Sequence, residues 1–172
     1  MRILIQRSKE SKVTIDGKVN GKIDKGYVLF VGFTEGDNEQ IIDKMIDKVI
    51  NLRIFEDENE KMNLSIKDVG GSILSISQFT LYANCKDGRR PSFVEAMKPD
   101  EATRLYDYFN EELKKIIHTE TGIFGSDMKV EIYNDGPVTI MLDSDEICKG
   151  VKKWKVKYLE YHYLLLHVYM DF

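Results

Sequence analysis

The sequence predicts an α+β domain, a mainly antiparallel, barrel-like sheet with two principal helices packed against it. Three observations carry that expectation. Short runs of alternating apolar and polar residues, broken by Asp-Gly and Gly-Pro turn signals, recur near both ends of the first 150 residues. Two other stretches repeat their apolar residues at helical spacing. No repeat, low-complexity segment or linker divides residues 1–150, so they are expected to share one core.

Taken in order, Ile3–Arg7 alternates and Val13–Ile15 follows, and both read as strands. Asp16-Gly17 is a two-residue hairpin signal leading into Lys18–Ile23. Asp24-Lys25-Gly26 breaks the pattern again. The nearly continuous apolar run Tyr27–Phe33 then suits a strand buried on both faces. In NEQIIDKMIDKVINL, Ile42, Met45, Ile46, Val49 and Ile50 share a helical face, with Asp37 or Asn38 as N-cap. The polar segment RIFEDENEKMNLS reads as a loop with room for a short hairpin, ahead of Gly70-Gly71. Ser72–Tyr82 reads as one long strand rich in small hydroxyl side chains, and NCKDGRRPSF as a turn-rich basic loop. Beyond Pro99, a second helix places Leu105, Tyr106, Phe109, Leu113 and Ile116 on one face. Asp100 and Glu101 at its start, and Lys114 and Lys115 at its end, suit the helix dipole. Two strands, Met128–Tyr133 and Val138–Leu142, complete the domain, joined by a turn at Asn134-Asp135-Gly136-Pro137.

Composition bounds the function. The chain has 172 residues, 42% apolar and 31% charged, the balance of a folded globular protein rather than a disordered one. A net charge of −4 argues against a bulk basic nucleic-acid binder. Four lysines and two acids lie beyond Gly150, which leaves −6 on the first 150 residues. Cys85 and Cys148 are too few for a disulfide scaffold, and His118, His162 and His167 show no zinc-ligand spacing. Reduced thiols are expected, with no metal and no cofactor. The apolar start is too short for a signal peptide, and YHYLLLHVYM is shorter than the roughly 20 residues that span a bilayer. A cytoplasmic protein without a membrane partner is the expectation.

The sequence carries no familiar catalytic signature. There is no nucleophile elbow and no phosphate loop, and Asp57 and Glu58 sit in a solvated loop. Two segments stand out instead. On a strand, Ser77, Phe79 and Leu81 would point one way and Gln78, Thr80 and Tyr82 the other. A strand end with hydroxyls and free N–H groups can polarise a carbonyl as an oxyanion hole does. The competing reading is packing and cross-strand pairing. At Asn134-Asp135-Gly136-Pro137 the plain reading is a hairpin turn. With a cis Gly136-Pro137 bond, its exposed carbonyls would form a rigid acceptor pair suited to an ammonium group.

From Met1 to about Asp143 the residues match a known family. MRILIQR, GYVLFVGFTEGD, NLRIFEDENEKMNLSIKDVGG, SQFTLY, GRRPSF, ETGIFG and NDGPVTIMLD, in this order and spacing, resemble the D-aminoacyl-tRNA deacylases. SQFTLY and NDGPVT are that family's signature motifs. The resemblance implies a homodimer with active sites at the subunit interface. A cis Gly136-Pro137 of one subunit would face the catalytic set Ser77, Gln78, Phe79 and Thr80 of the other. The substrate implied is the ester joining a D-amino acid, or glycine, to the terminal adenosine of tRNA. The substrate's own 2′-hydroxyl would help activate water, while the Gln78 and Phe79 backbone N–H groups receive the carbonyl oxygen. A lone Thr80 with no adjacent base is poorly activated as a nucleophile, so it is assigned to orienting the substrate. The Gly136 and Pro137 carbonyls would bind the α-ammonium, and an L side chain would collide with their backbone. Lys86, Arg89 and Arg90 are the candidates for tRNA phosphates, against a solvated turn with Arg90 in an internal ion pair. Phe79 or Tyr82 would stack on the terminal adenine.

The resemblance implies a deacylase domain over residues 1–150. Residues 151–172 have no family counterpart; Trp154, Val156 and Tyr158 alternate with lysines there, which permits an added strand, adhesion to membrane or RNA, or a plain accessory tail. Three other readings compete: an editing domain like those of some threonyl-tRNA synthetases, a non-catalytic RNA- or protein-binding barrel, and a covalent esterase using Ser77 or Thr80.

Overall fold

One long strand organises the sheet. The computed structural model describes residues 1–150, and its first strand, β1 (Arg2–Ile15), runs unbroken for 14 residues. There follow β2 (Lys18–Ile23), β3 (Gly26–Gly32), α1 (Glu39–Asn51), β4 (Phe55–Glu56), β5 (Met62–Leu64) and β6 (Ser72–Ser77). A short 3-10 helix (Phe79–Tyr82), α2 (Pro99–Lys114), β7 (Thr119–Thr121), β8 (Lys129–Asp143) and α3 (Ser144–Ile147) complete the described chain.

On one side β1 pairs antiparallel with β8, with irregularities in register between Gln6 and Ser11. On the other side it pairs with β3 over its first half and β2 over its second, also antiparallel. β3–β6 and β6–β7 are parallel, as strands joined through intervening helices can be. The Asn20 side chain donates to the Thr121 carbonyl at 2.7 Å, so β2 meets β7 and the sheet nearly closes. The α+β, barrel-like expectation holds, with a mixed sheet.

Local signals explain several boundaries. Ile15 faces Lys18 across a turn in which Asp16 and Gly17 have φ of +48° and +75°, the twist a two-residue hairpin needs. Asn38 rather than Asp37 caps α1, its side chain accepting from the Ile41 N–H. Asp37 is committed elsewhere, to the Thr34 N–H at 2.8 Å and the Met1 ammonium at 2.6 Å.

β3 is buried on both faces as its apolar run predicts, and it separates two cores. Tyr27, Leu29 and Val31 meet the helices, through Ile42, Met45 and Val49 of α1 and Leu105, Phe109 and Leu113 of α2. Val28 faces the other way, with Val13, Ile15, Ile23, Leu74 and Ile76. Each such side chain contributes about 1.5–3 kcal/mol by leaving water.

Four expectations change. β1 continues through the polar Ser8-Lys9-Glu10 because Ser8 and Ser11 are buried while Lys9 and Glu10 face out. The strand beginning at Ser72 stops at Ser77. The two final strands are one, β8, without a turn at Asn134–Pro137. Ile116 lies beyond the end of α2 and is exposed, outside the core the helical spacing gave it.

Candidate active site

The first part of the site is built where β6 ends. Ser77 lies across from Val31 of β3, and the next N–H, that of Gln78, donates to the Val31 carbonyl at 2.7 Å. The chain then coils into the 3-10 helix instead of continuing as a strand. Gly32 makes this possible: a Cβ there would lie 2.7 Å from the Gln78 carbonyl oxygen and 3.3 Å from Leu81 Cβ. The expected alternation of faces through Tyr82 therefore does not occur.

The coil separates the aromatic candidates. Phe79 is 54% exposed, and its ring meets that of Phe93 edge-on at 5.1 Å. Tyr82 is buried, with the Arg2 guanidinium 4.6 Å from its ring centre, so it offers no stacking surface. Burial, then the charges of Asp37 and Asp143, push its phenol well above the ordinary value, so it stays protonated.

Gln78 Nε2 donates to Thr80 Oγ1 at 2.5 Å. Among the described residues no carboxylate or imidazole bonds to that hydroxyl, so nothing is placed to draw off its proton. The Phe79 and Thr80 N–H groups make no hydrogen bond among the described residues. The Gln78 N–H is occupied by Val31, which removes it from the expected pair of oxyanion donors.

The second part lies on β8. Ser8 of β1 faces Asn134 and Gln6 faces Thr139, so residues 135–138 arch outward opposite Arg7 alone. The Gly136–Pro137 peptide is cis, and both residues are exposed. Gly136 has φ +118°, and a Cβ on it would lie 2.9 Å from both an Arg7 nitrogen and Val138 Cγ2. Asn134 Nδ2 clips the base of the arch, donating to the Arg7 and Val138 carbonyls at 3.1 Å each. Arg7, itself 5% exposed, donates to the Asp135 carbonyl at 3.1 Å and the Ile54 carbonyl at 2.8 Å. Its charge faces Glu56 at 3.6 Å and Asp135 at 3.7 Å.

One protomer does not join the two parts. Ser77 is level with Val31 and Ile3, whereas the arch is level with Arg7, on the order of 13 Å further along β1.

Lys86, Arg89 and Arg90 are all exposed, in a loop pinned by paired bonds between Asn84 and Ser92 and by Asn84 Nδ2 on Glu95 at 3.1 Å. None of the three forms an ion pair among the described residues, so the internal partner considered for Arg90 is not found there. No group of three His, Cys, Asp or Glu side chains gathers as a metal site among the described residues.

Sequence reasoning passed over Arg7 and Arg2. Arg7 did leave a signal, since Ile3, Ile5 and Arg7 share one face of a strand and a charge on an apolar face needs an internal partner.

Residues 4–143 match the family model described as D-Tyr-tRNA(Tyr) deacylase. The chain belongs to this family. Membership makes it a hydrolase of the aminoacyl-tRNA ester bond. A D-aminoacyl-tRNA deacylase of Bacillus cytotoxicus is 57% identical over 145 residues, spanning 84% of this chain and 99% of the relative. One from Bacillus cereus (strain AH187) is 55% identical over the same spans. Among solved structures, one named c-Myc DNA Unwinding Element Binding Protein superposes with a TM-score of 0.79 at 37% identity, covering 83% of this chain and 98% of that one. A probable eukaryotic D-amino acid tRNA deacylase shares the fold, with a TM-score of 0.71 at 17% identity and the same coverage. Among the described residues of this deacylase-family chain, no helix is long and apolar enough to cross a membrane.

Proposed function

We propose that this chain is a chiral proofreading enzyme of the cytoplasm that hydrolyses the ester of D-aminoacyl-tRNA, and of glycyl-tRNA, at the 3′ end. The observation that carries the reading is the exposed turn at Phe79 and Thr80, with two unpaired backbone N–H groups and no activated nucleophile among the described residues. An aminoacyl ester is already reactive, so positioning and oxyanion stabilisation lower much of its barrier. Water adds to the carbonyl carbon with help from the substrate's 2′-hydroxyl, and negative charge develops on the carbonyl oxygen facing the Phe79 and Thr80 N–H groups. The ester C–O bond then breaks, the ribose oxygen takes a proton, and free amino acid and tRNA leave. Gln78 and Thr80 side chains orient the substrate, and Ser77 closes the strand end beneath it.

Chirality comes from a second copy of the chain. β8 pairs only with β1 among the described residues, leaving its outer edge open for a homodimer partner. In that dimer the partner subunit's Gly136 and Pro137 carbonyls receive the α-ammonium and its arch blocks an L side chain. The separation of arch and turn within one protomer supports this cross-subunit arrangement. Glycine carries no side chain to exclude and is cleaved as well. Lys86, Arg89 and Arg90 meet phosphates near the tRNA terminus, and Phe79 offers its ring to the terminal adenine. The function proposed is that of residues 1–150; the strand or adhesive role considered for 151–172 lies outside the described residues.

Incubating the full chain with D-Tyr-tRNA, L-Tyr-tRNA and Gly-tRNA tests the reading. Loss of the D and glycyl esters with the L ester intact is expected. Equal loss of all three, or labelling of Thr80 by an acylating inhibitor, would overturn it. Sedimentation at micromolar concentration should show a dimer.

A further inference from the structure

We infer that Arg2, the first residue of β1, is a positioning residue for deacylation, holding the Phe79–Tyr82 helix in place through the carbonyl of Leu81. The inference rests on the deacylase reading above and adds to it a residue outside both motifs.

The 3-10 helix carrying Phe79 and Thr80 is a single short turn of four residues. Of the bonds at its two ends, the Leu81 N–H reaches the Gln78 carbonyl only at 3.4 Å, on the side that carries Phe79 and Thr80, and the Ala83 N–H reaches the Thr80 carbonyl at 3.0 Å. A helix this short leaves its last carbonyls, such as that of Leu81, without a partner inside the helix. Arg2 supplies one. Its Nη1 donates to the Leu81 carbonyl at 2.9 Å, while its guanidinium lies over the Tyr82 ring at 4.6 Å. Two consecutive residues of the helix are thus gripped by one side chain.

That side chain is itself fixed. Arg2 Nε donates to Asp143 Oδ2 at 2.9 Å, at the last residue of β8. Asp143 in turn accepts from the Asp145 N–H at 2.9 Å, which ties the arrangement to the start of α3. The geometry explains the residue type. A planar guanidinium donates in two directions within one plane and presents a flat cationic face to a ring, whereas a lysine ammonium does not match all three contacts. Asp143 also terminates the strand bearing Gly136 and Pro137, so one ion pair links the two motif-bearing segments of a protomer.

Arg2 is about one-third exposed and lies outside both apolar clusters, so its loss should release the helix without opening the core. Catalysis is more sensitive than stability to such a release, since displacement of about 1 Å can cost on the order of 100-fold in rate.

The test compares wild type, Arg2→Met, Arg2→Lys and Asp143→Asn as full-length proteins. Single-turnover hydrolysis of D-Tyr-tRNA gives the maximal rate and the half-saturating enzyme concentration, and amide hydrogen exchange is followed at Ala83. In Arg2→Met we expect a maximal rate reduced about 10- to 100-fold. The half-saturating concentration should stay near wild type, with faster exchange at Ala83 and unchanged exchange in α1. Arg2→Lys, able to satisfy one acceptor, should fall between, and Asp143→Asn should lose less than Arg2→Met. Should Arg2→Met fail to fold, Arg2→Lys carries both readouts. An unchanged maximal rate, or a lost rate with Ala83 exchange unchanged, overturns the inference. Wild type lacking D-selective hydrolysis would instead overturn the deacylase reading, and Ala83 exchange would still report whether Arg2 holds the helix.

Discussion

Arg7 donates to the carbonyl of Asp135 at 3.1 Å from beneath the arch that carries Gly136 and Pro137, and the same guanidinium holds the Ile54 carbonyl at 2.8 Å. Arg7→Met would leave two carbonyls without this donor in a largely dry setting, each costing about 1–3 kcal/mol where it stays unpaired. Urea unfolding should register the loss, and the ratio of D- to L-Tyr-tRNA hydrolysis should fall as the arch loses its brace. Intact rejection of the L ester in a destabilised Arg7→Met would mean that arch rigidity does not set chirality.

The Thr80 hydroxyl is bonded to Gln78 Nε2 and has no base beside it among the described residues. Thr80→Ser and Thr80→Ala should therefore retain substantial turnover of D-Tyr-tRNA, reduced by no more than about 10- to 100-fold, a range set by misplacement. Abolition in Thr80→Ala with full rescue in Thr80→Ser would revive covalent catalysis.

The cationic loop should act on binding rather than chemistry. Replacing Lys86, Arg89 and Arg90 together by Gln is expected to raise KM for D-Tyr-tRNA and leave kcat near wild type. It should also flatten the dependence of log KM on log salt by up to about 0.7–0.9 for each phosphate no longer neutralised. A salt slope identical to wild type would remove this loop from the tRNA surface.

Acid should loosen the corner where β8 ends. Burial pushes the Asp143 carboxyl up, but the Asp145 N–H, the bond and charge of Arg2 and the Met1 ammonium outweigh it and hold the group below its ordinary 3.8. A carboxyl depressed in the folded state stabilises above 3.8 and loses that contribution as pH falls through its folded value. Asp37 on the Met1 ammonium, Tyr82 under Arg2, and the charges of Asp145 and Glu95 belong to the same charged and titratable surroundings. Below pH 3.8, denaturant stability should therefore decline less steeply in Asp143→Asn than in wild type. Parallel acid limbs in the two proteins would contradict it.

Much of the fold was written in local pattern. The helical spacing of Ile42, Met45, Ile46, Val49 and Ile50, the Asp16-Gly17 hairpin and Pro99 at the start of α2 are all where the sequence puts them. What escaped depends on distant partners. The coil at Phe79 needs Gly32 on another strand, and the continuity of β8 through Gly136-Pro137 needs Asn134 clipped to Arg7 of β1. Neither partner is near in sequence. The apolar runs of β3 and β6 say that both strands are buried but not that they run parallel. The site divides in the same way: SQFTLY and NDGPVT are visible as stretches, whereas the grips of Arg7 and Arg2 on their backbones are tertiary.

A strand of 15 residues that, among the described residues, bonds to a neighbour on one side only is the kind of surface onto which any extended peptide can add. β8 carries two guards against this. Pro137 removes an N–H from the row, and the arch at 135–138 takes the strand out of the plane that another strand would need. Indiscriminate zippering along the edge is blocked at its middle, and only a surface shaped to receive the protrusion fits. The feature proposed to reject the wrong substrate thereby also protects the protein from aggregation.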